Sequence, residues 1–154
     1  MRNRFLPALA GLLLAGSLAP ARAHVTLADA QASAGSTYRA TFRVTHGCKG
    51  SPVREVLVEL PSGVQDAKAM PKPGWNVAVE PSRVRWSGGR VERSNFDEFV
   101  LLVKLPPTPG TLRWNTSQIC EEGRIDHAEA LEVSVPGAEL AREGQAAHAH
   151  EGHR

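Results

Sequence analysis

An all-β fold, an antiparallel sandwich of immunoglobulin-like or cupredoxin-like type, is what this sequence predicts. Three observations carry the prediction. Apolar residues alternate with period two in several short runs, and the runs recur every 8–12 residues, giving roughly eight strands. The 11 prolines and 14 glycines fall mostly between those runs, where turns belong. Beyond the N-terminal segment, no stretch shows the 3.6-residue periodicity of an amphipathic helix.

The N-terminal segment differs in kind. Arg2 and Arg4 precede an apolar run over 5–19, and Ala21-Arg22-Ala23 follows it. That order, a basic region, an apolar region and a small-x-small site, marks a secretory signal peptide. Residues 1–23 are therefore expected to be a removed signal helix, cleaved between Ala23 and His24. The strand pattern begins at once, Val25 and Leu27 alternating with Thr26 and Ala28. After a turn at Ala34-Gly35-Ser36, residues 37–44 put Tyr38, Ala40, Phe42 and Val44 on one face. A loop over 46–52 leads into a strand at 54–60, stopped by Pro61-Ser62-Gly63.

Met70-Pro71-Lys72-Pro73-Gly74 is turn chemistry, and alternation resumes over 75–80. A short strand over 83–87 ends at Gly88-Gly89. The longest strand is expected over 96–105, where Pro106-Pro107 stops it. Residues 111–114 form a short extended piece, and 125–135 supply the last strand. The domain is expected to span 24–137. Residues 138–154, rich in Ala, Glu, Gly and His, are expected to be a flexible, disordered tail.

Charge and composition exclude several functions. The full chain carries 18 basic and 16 acidic residues, a formal charge of +2. The leader holds Arg2, Arg4 and Arg22 and no acid, so the mature chain is close to neutral. With no basic run and few aromatic residues, it lacks the footprint of a nucleic-acid binder. After the leader no apolar segment approaches the ~20 residues of a membrane span. The mature protein is expected in the periplasm and not across the membrane. There is no nucleophile elbow, HExxH or phosphate loop, and no enzyme is predicted. In an exported chain Cys48 and Cys120 most simply form one disulfide, closing a loop of about 70 residues. A pair of thiolate copper ligands is the sharper alternative, weakened by the absence of CxxC spacing.

The histidines carry the chemistry. Cleavage after Ala23 makes His24 the first residue. Its α-amine and ring Nδ1 can then close a six-membered chelate ring on one metal ion, a donor pair that suits Cu(II). The plain alternative is an arbitrary first residue. His46 lies two residues before Cys48 and His127 seven after Cys120. A disulfide would draw both into one neighbourhood, and a first strand reaching that end would add His24. Against this, His46 could be a loop histidine bonded to turn backbone, and His127 a solvent-facing strand residue beside Asp126 and Glu129. Asp97 or Glu98 could approach such an ion, though an exposed strand start explains them as well. Trp75, Trp86 and Trp114 suit core packing. Met70 alone beyond the leader makes no thioether site. His148, His150 and His153 near the C-terminus are either a weak metal tract or an inert polar tail.

Ordered along the chain are His24-Val25-Thr26-Leu27, Ala34-Gly35-Ser36-Thr37-Tyr38, His46-Gly47-Cys48-Lys49-Gly50-Ser51-Pro52 and Val58-Glu59-Leu60-Pro61-Ser62-Gly63. Met70-Pro71-Lys72-Pro73-Gly74-Trp75, Trp86-Ser87-Gly88-Gly89, Asp97-Glu98-Phe99 and Gln118-Ile119-Cys120-Glu121-Glu122-Gly123 follow. In this order, over about 24–137, the chain resembles the YcnI-like copper-binding domain family, with the cysteines of its proteobacterial branch. The resemblance implies a β-sandwich holding one Cu(II) per domain through a brace made by one N-terminal histidine, here His24. An acidic residue and a tryptophan assist in that family. It also implies a periplasmic metallochaperone whose partners are copper carriers or a membrane copper transporter, and leaves a dimer open. This chain departs from the pattern twice. His127 stands where the family has its tryptophan, and 38–44 carries no carboxylate to match the family's glutamate. His127, with His46, is therefore expected to join His24 in a more nitrogen-rich site. Two other functions stay open from sequence: a copper-dependent oxidoreductase with an N-terminal histidine brace, and a metal-free immunoglobulin-like interaction domain.

Overall fold

The computed structural model describes residues 25–138. The leader, His24 and the tail histidines lie outside the described residues. Ten strands form two sheets. They are β1 (Val25–Leu27), β2 (Gln31–Ser33), β3 (Thr37–Val44), β4 (Val53–Glu59), β5 (Gln65–Ala69), β6 (Asn76–Glu80), β7 (Arg83–Val91), β8 (Asp97–Lys104), β9 (Gly110–Cys120) and β10 (Arg124–Ser134). One sheet has the order β1-β3-β8-β5, the other β2-β10-β9-β4-β7-β6. The predicted all-β sandwich is thus what the chain forms. Among the described residues no helix is long and apolar enough to cross a membrane.

The elements differ from expectation in ways that have physical causes. Strand count rises because β1 and β2, three residues each, join opposite sheets. β2 runs parallel to β10, Ala32 opposite Val133, an exception to the antiparallel arrangement expected. β7 continues through Gly88-Gly89 instead of stopping there. Its pairing with β4 shifts register between Val53 and Glu55. A bulge of this kind changes which residues face inward. Glycine at 89 answers a close approach: a Cβ there would lie 2.0 Å from the Trp75 ring. β9 and β10 have 11 residues each; β10 matches the strand expected over 125–135 within one residue, whereas only 111–114 of β9 was expected.

Alternation on β3 buries Tyr38, Ala40, Phe42 and Val44 as the pattern requires. Opposite them, Trp86 and Trp114 are fully buried and pack edge-on against Phe99 and Phe42, both at 5.5 Å between centroids. Such tilted pairs add about 0.5–1.5 kcal/mol beyond the area they bury. Trp75 is half-buried on the flank, 5.0 Å from Phe99, so it caps the core without being part of its centre. Tyr38 donates its hydroxyl to the Asp29 carbonyl, 2.5 Å away, and burial pushes its pKa up to about 12.

Cys48 and Cys120 form the expected disulfide, with Cα atoms 6.0 Å apart and a separation of 72 positions in sequence. It ties the β3–β4 loop to the end of β9. Constraining so long a loop in the unfolded chain is worth about 4 kcal/mol. Replacing both cysteines with serine is expected to lower unfolding free energy by about that amount, measured by urea denaturation. A loss below about 1 kcal/mol would contradict it.

Candidate metal site

Strand register gathers His46 and His127 at one end of the sandwich. Val25 pairs with Val44, and Val44 pairs with Asp97. The start of β1 therefore lies beside the end of β3 and the start of β8. In the facing sheet, the end of β9 and the start of β10 are joined by a tight turn, the Cys120 amide donating to the Gly123 carbonyl at 3.0 Å. The disulfide brings the β3–β4 loop, with His46, to that turn. Gly47 lets the loop fold back: a Cβ there would lie 1.8 Å from the Ser51 carbonyl oxygen. Val25, the residue after His24, thus lies at the end that carries His46 and His127.

His127 belongs to the inner face of β10. Along that strand Ile125, His127, Glu129, Leu131 and Val133 are the less exposed set, and Leu131 and Val133 are core residues. The alternative of a solvent-facing His127 does not hold: it is Asp126 that points outward. The Asp126 carboxylate accepts from the Ser117 hydroxyl at 2.6 Å and from the Arg124 guanidinium at 2.8 Å. The Ser117 hydrogen bond first, and then Arg124, hold the Asp126 carboxyl below the usual carboxylate range.

The inner face of β9 at the same level is polar. Gln118 is only 1 % exposed, and its side chain joins the two histidines. Its Nε2 donates to the His46 backbone carbonyl at 3.2 Å, and its Oε1 lies 3.1 Å from His127 Nε2. Thr116, opposite His127 in the ladder, is buried, and its hydroxyl has no hydrogen-bond partner among the described residues. Glu129 lies one alternation deeper than His127 on the same face and opposite Trp114. Sequence reasoning did not select Gln118, Thr116 or Glu129: the first two lie where no apolar alternation marks a strand, and the inward face of the strand carrying Glu129 cannot be chosen without its partner. Their shared inward face, visible once β9 and β10 are paired, is the signal.

Asp97 and Glu98 are committed elsewhere. Asp97 is paired with the Lys72 ammonium, and Glu98 accepts from Arg43 at 2.9 Å. Lys72 also donates to the Glu98 carbonyl at 3.2 Å and lies 5.0 Å over the Phe99 ring. Among the described residues no three His, Cys, Asp or Glu side chains are close enough together to hold a metal ion.

Comparison with known proteins is consistent with this architecture. The family described as a domain of unknown function (DUF1775) matches the chain over residues 24–82 and 79–142. A Bacillus subtilis (strain 168) protein named copper-binding protein CutI is 30% identical over 126 residues. That match covers 77% of this chain and 61% of CutI, so the chain spans about three fifths of the relative's length. A crystal structure of an uncharacterized Nocardia farcinica protein with an immunoglobulin-like fold superposes with a TM-score of 0.64 at 23% identity. It covers 74% of this chain and 100% of that one, and supports the fold.

The outward triad next to His127 has a measurable consequence. A depressed carboxylate pKa contributes stability that is present above the ordinary carboxylate range and lost as pH falls through the folded value. Ser117→Ala is expected to raise the Asp126 midpoint toward the ordinary range, read by carboxyl NMR titration. An unmoved midpoint would assign the shift to Arg124 alone.

Proposed function

We propose, from the premise that this chain belongs to the family of DUF1775 domains, that it is an exported Cu(II)-binding protein serving as a periplasmic copper metallochaperone. Cleavage after Ala23 would create the ligand: the amine and the ring Nδ1 of His24 form the brace. His127 supplies a further nitrogen, and His46 lies in the same neighbourhood. The one observation that carries this reading is the pairing of Val25 with Val44, which puts the residue following His24 at the end where Gln118 joins His46 and His127. Copper as the ion is supported by the name of the CutI relative.

The residues present fit such an ion. Imidazole and neutral amine donors favour Cu(II) over the other first-row divalent ions. The Thr116 hydroxyl opposite His127 is buried without a protein partner among the described residues, an uncompensated cost of about 1–3 kcal/mol. A polar occupant of that end would offset it. Copper bound there is cargo, exchanged with periplasmic carriers or a membrane transporter. This is a binding role, and no catalytic step is assigned.

The chain beginning at His24 is expected to bind one Cu(II) by isothermal titration. His24→Ala, or one residue added before His24, should weaken binding by roughly 100-fold or more, above the 10–100-fold typical of outer-shell partners. Nitrogen hyperfine structure in the EPR spectrum should fall by the donors lost. Equal affinity for the extended chain would refute the brace.

A further inference from the structure

We infer that Gln118 is a positioning residue that fixes which nitrogen of His127 meets the metal, making Nδ1 the ligand atom. The inference rests on the copper reading above and adds to it the ligand atom and its support.

Both ends of the Gln118 amide are in use. Nε2 donates to the His46 carbonyl at 3.2 Å, and Oε1 lies 3.1 Å from His127 Nε2. The amide cannot be turned over without setting Oε1 against the His46 carbonyl oxygen, two acceptors with no proton between them. The acceptor therefore faces His127 Nε2, and that nitrogen must carry the proton. In the neutral ring the lone pair is then on Nδ1, and a metal ion takes the nitrogen with the lone pair. An imidazole that ligates through one nitrogen and donates from the other is the usual outer-shell arrangement.

The fixity of Gln118 comes from the fold. Its backbone lies between two ladders, opposite Val56 of β4 and Ile125 of β10. Two residues on, Cys120 is bound to Cys48, and this disulfide holds the loop that presents the His46 carbonyl. At 1 % exposure the amide has no water to replace either partner. His46 thus acts through its backbone as the anchor that orients the amide.

The test uses the chain beginning at His24. Long-range proton–nitrogen NMR of the metal-free protein is expected to place the His127 proton on Nε2. A proton on Nδ1 would overturn the proposal without any variant. Gln118→Leu removes both bonds; it should yield a mixture of ring tautomers and weaken Cu(II) about 10–100-fold. Gln118→Glu keeps an acceptor for His127 but loses the donor to the His46 carbonyl; it should keep the proton on Nε2, and a proton on Nδ1 in this variant would count against the proposal. Gln118→Leu with unchanged affinity and unchanged EPR nitrogen hyperfine would refute the inference. His24→Ala separates it from the copper reading. If His24→Ala abolishes binding while Gln118→Leu does nothing, only the role of Gln118 fails. If His24→Ala binds as the parent does, the brace itself fails.

Discussion

The bond between Cys48 and Cys120 closes one end of the sandwich, and the character of that end depends on it. A two-sheet sandwich needs its inner faces apolar, because its core is only about 10 Å thick. Here that rule holds through the middle, where Trp114 and Phe42 meet. It fails one alternation further, where Thr116, Gln118 and His127 replace core residues. Polar side chains in such a position cost free energy unless bonded. A covalent tie between the β3–β4 loop and β9 offsets that cost by constraining the unfolded chain. The fold can then hold a polar end without separating its sheets there.

The same polar end explains how much was legible in advance. The sandwich followed from alternation, and β3 lies where Tyr38, Ala40, Phe42 and Val44 required it. The disulfide followed from cysteine count and export. What failed was β9. Hydrophobic alternation ends at Trp114, so the expected strand stopped there, yet the ladder to β10 runs unbroken from Gly110 to Ile119. Backbone pairing does not require apolar side chains; only a buried apolar face writes the pattern into the sequence. The error and the candidate site have one cause, inward polar residues. The alternative of an outward His127 stayed open for the same reason, since the face of β10 cannot be chosen without its partner strand.

The acidic residues illustrate the opposite case. Asp97-Glu98 stood out in sequence as candidate metal neighbours, and each has a cation of its own in the fold. Each carboxylate is thereby already matched by a cation, whereas the buried amide of Gln118 has only the two groups it joins. Gln118 carries no charge, and it acts by geometry: it holds one carbonyl and one imidazole in fixed relation. Charge draws attention in a sequence, whereas orientation is visible only in three dimensions.

The proposed site places its first ligand on the other side of a covalent event. Before cleavage, the His24 nitrogen would be an amide, whose lone pair is delocalised into the peptide bond and is a poor donor for Cu(II) at neutral pH. Only hydrolysis after Ala23 would convert it into an amine. The internal half of the site needs no such step, because Gln118 orients His127 as soon as β9 and β10 pair. On this argument the folded domain would carry a preset imidazole and wait for its brace. Copper capture would then be restricted to the compartment where the leader is removed, and the restriction would follow from the chemistry of one nitrogen.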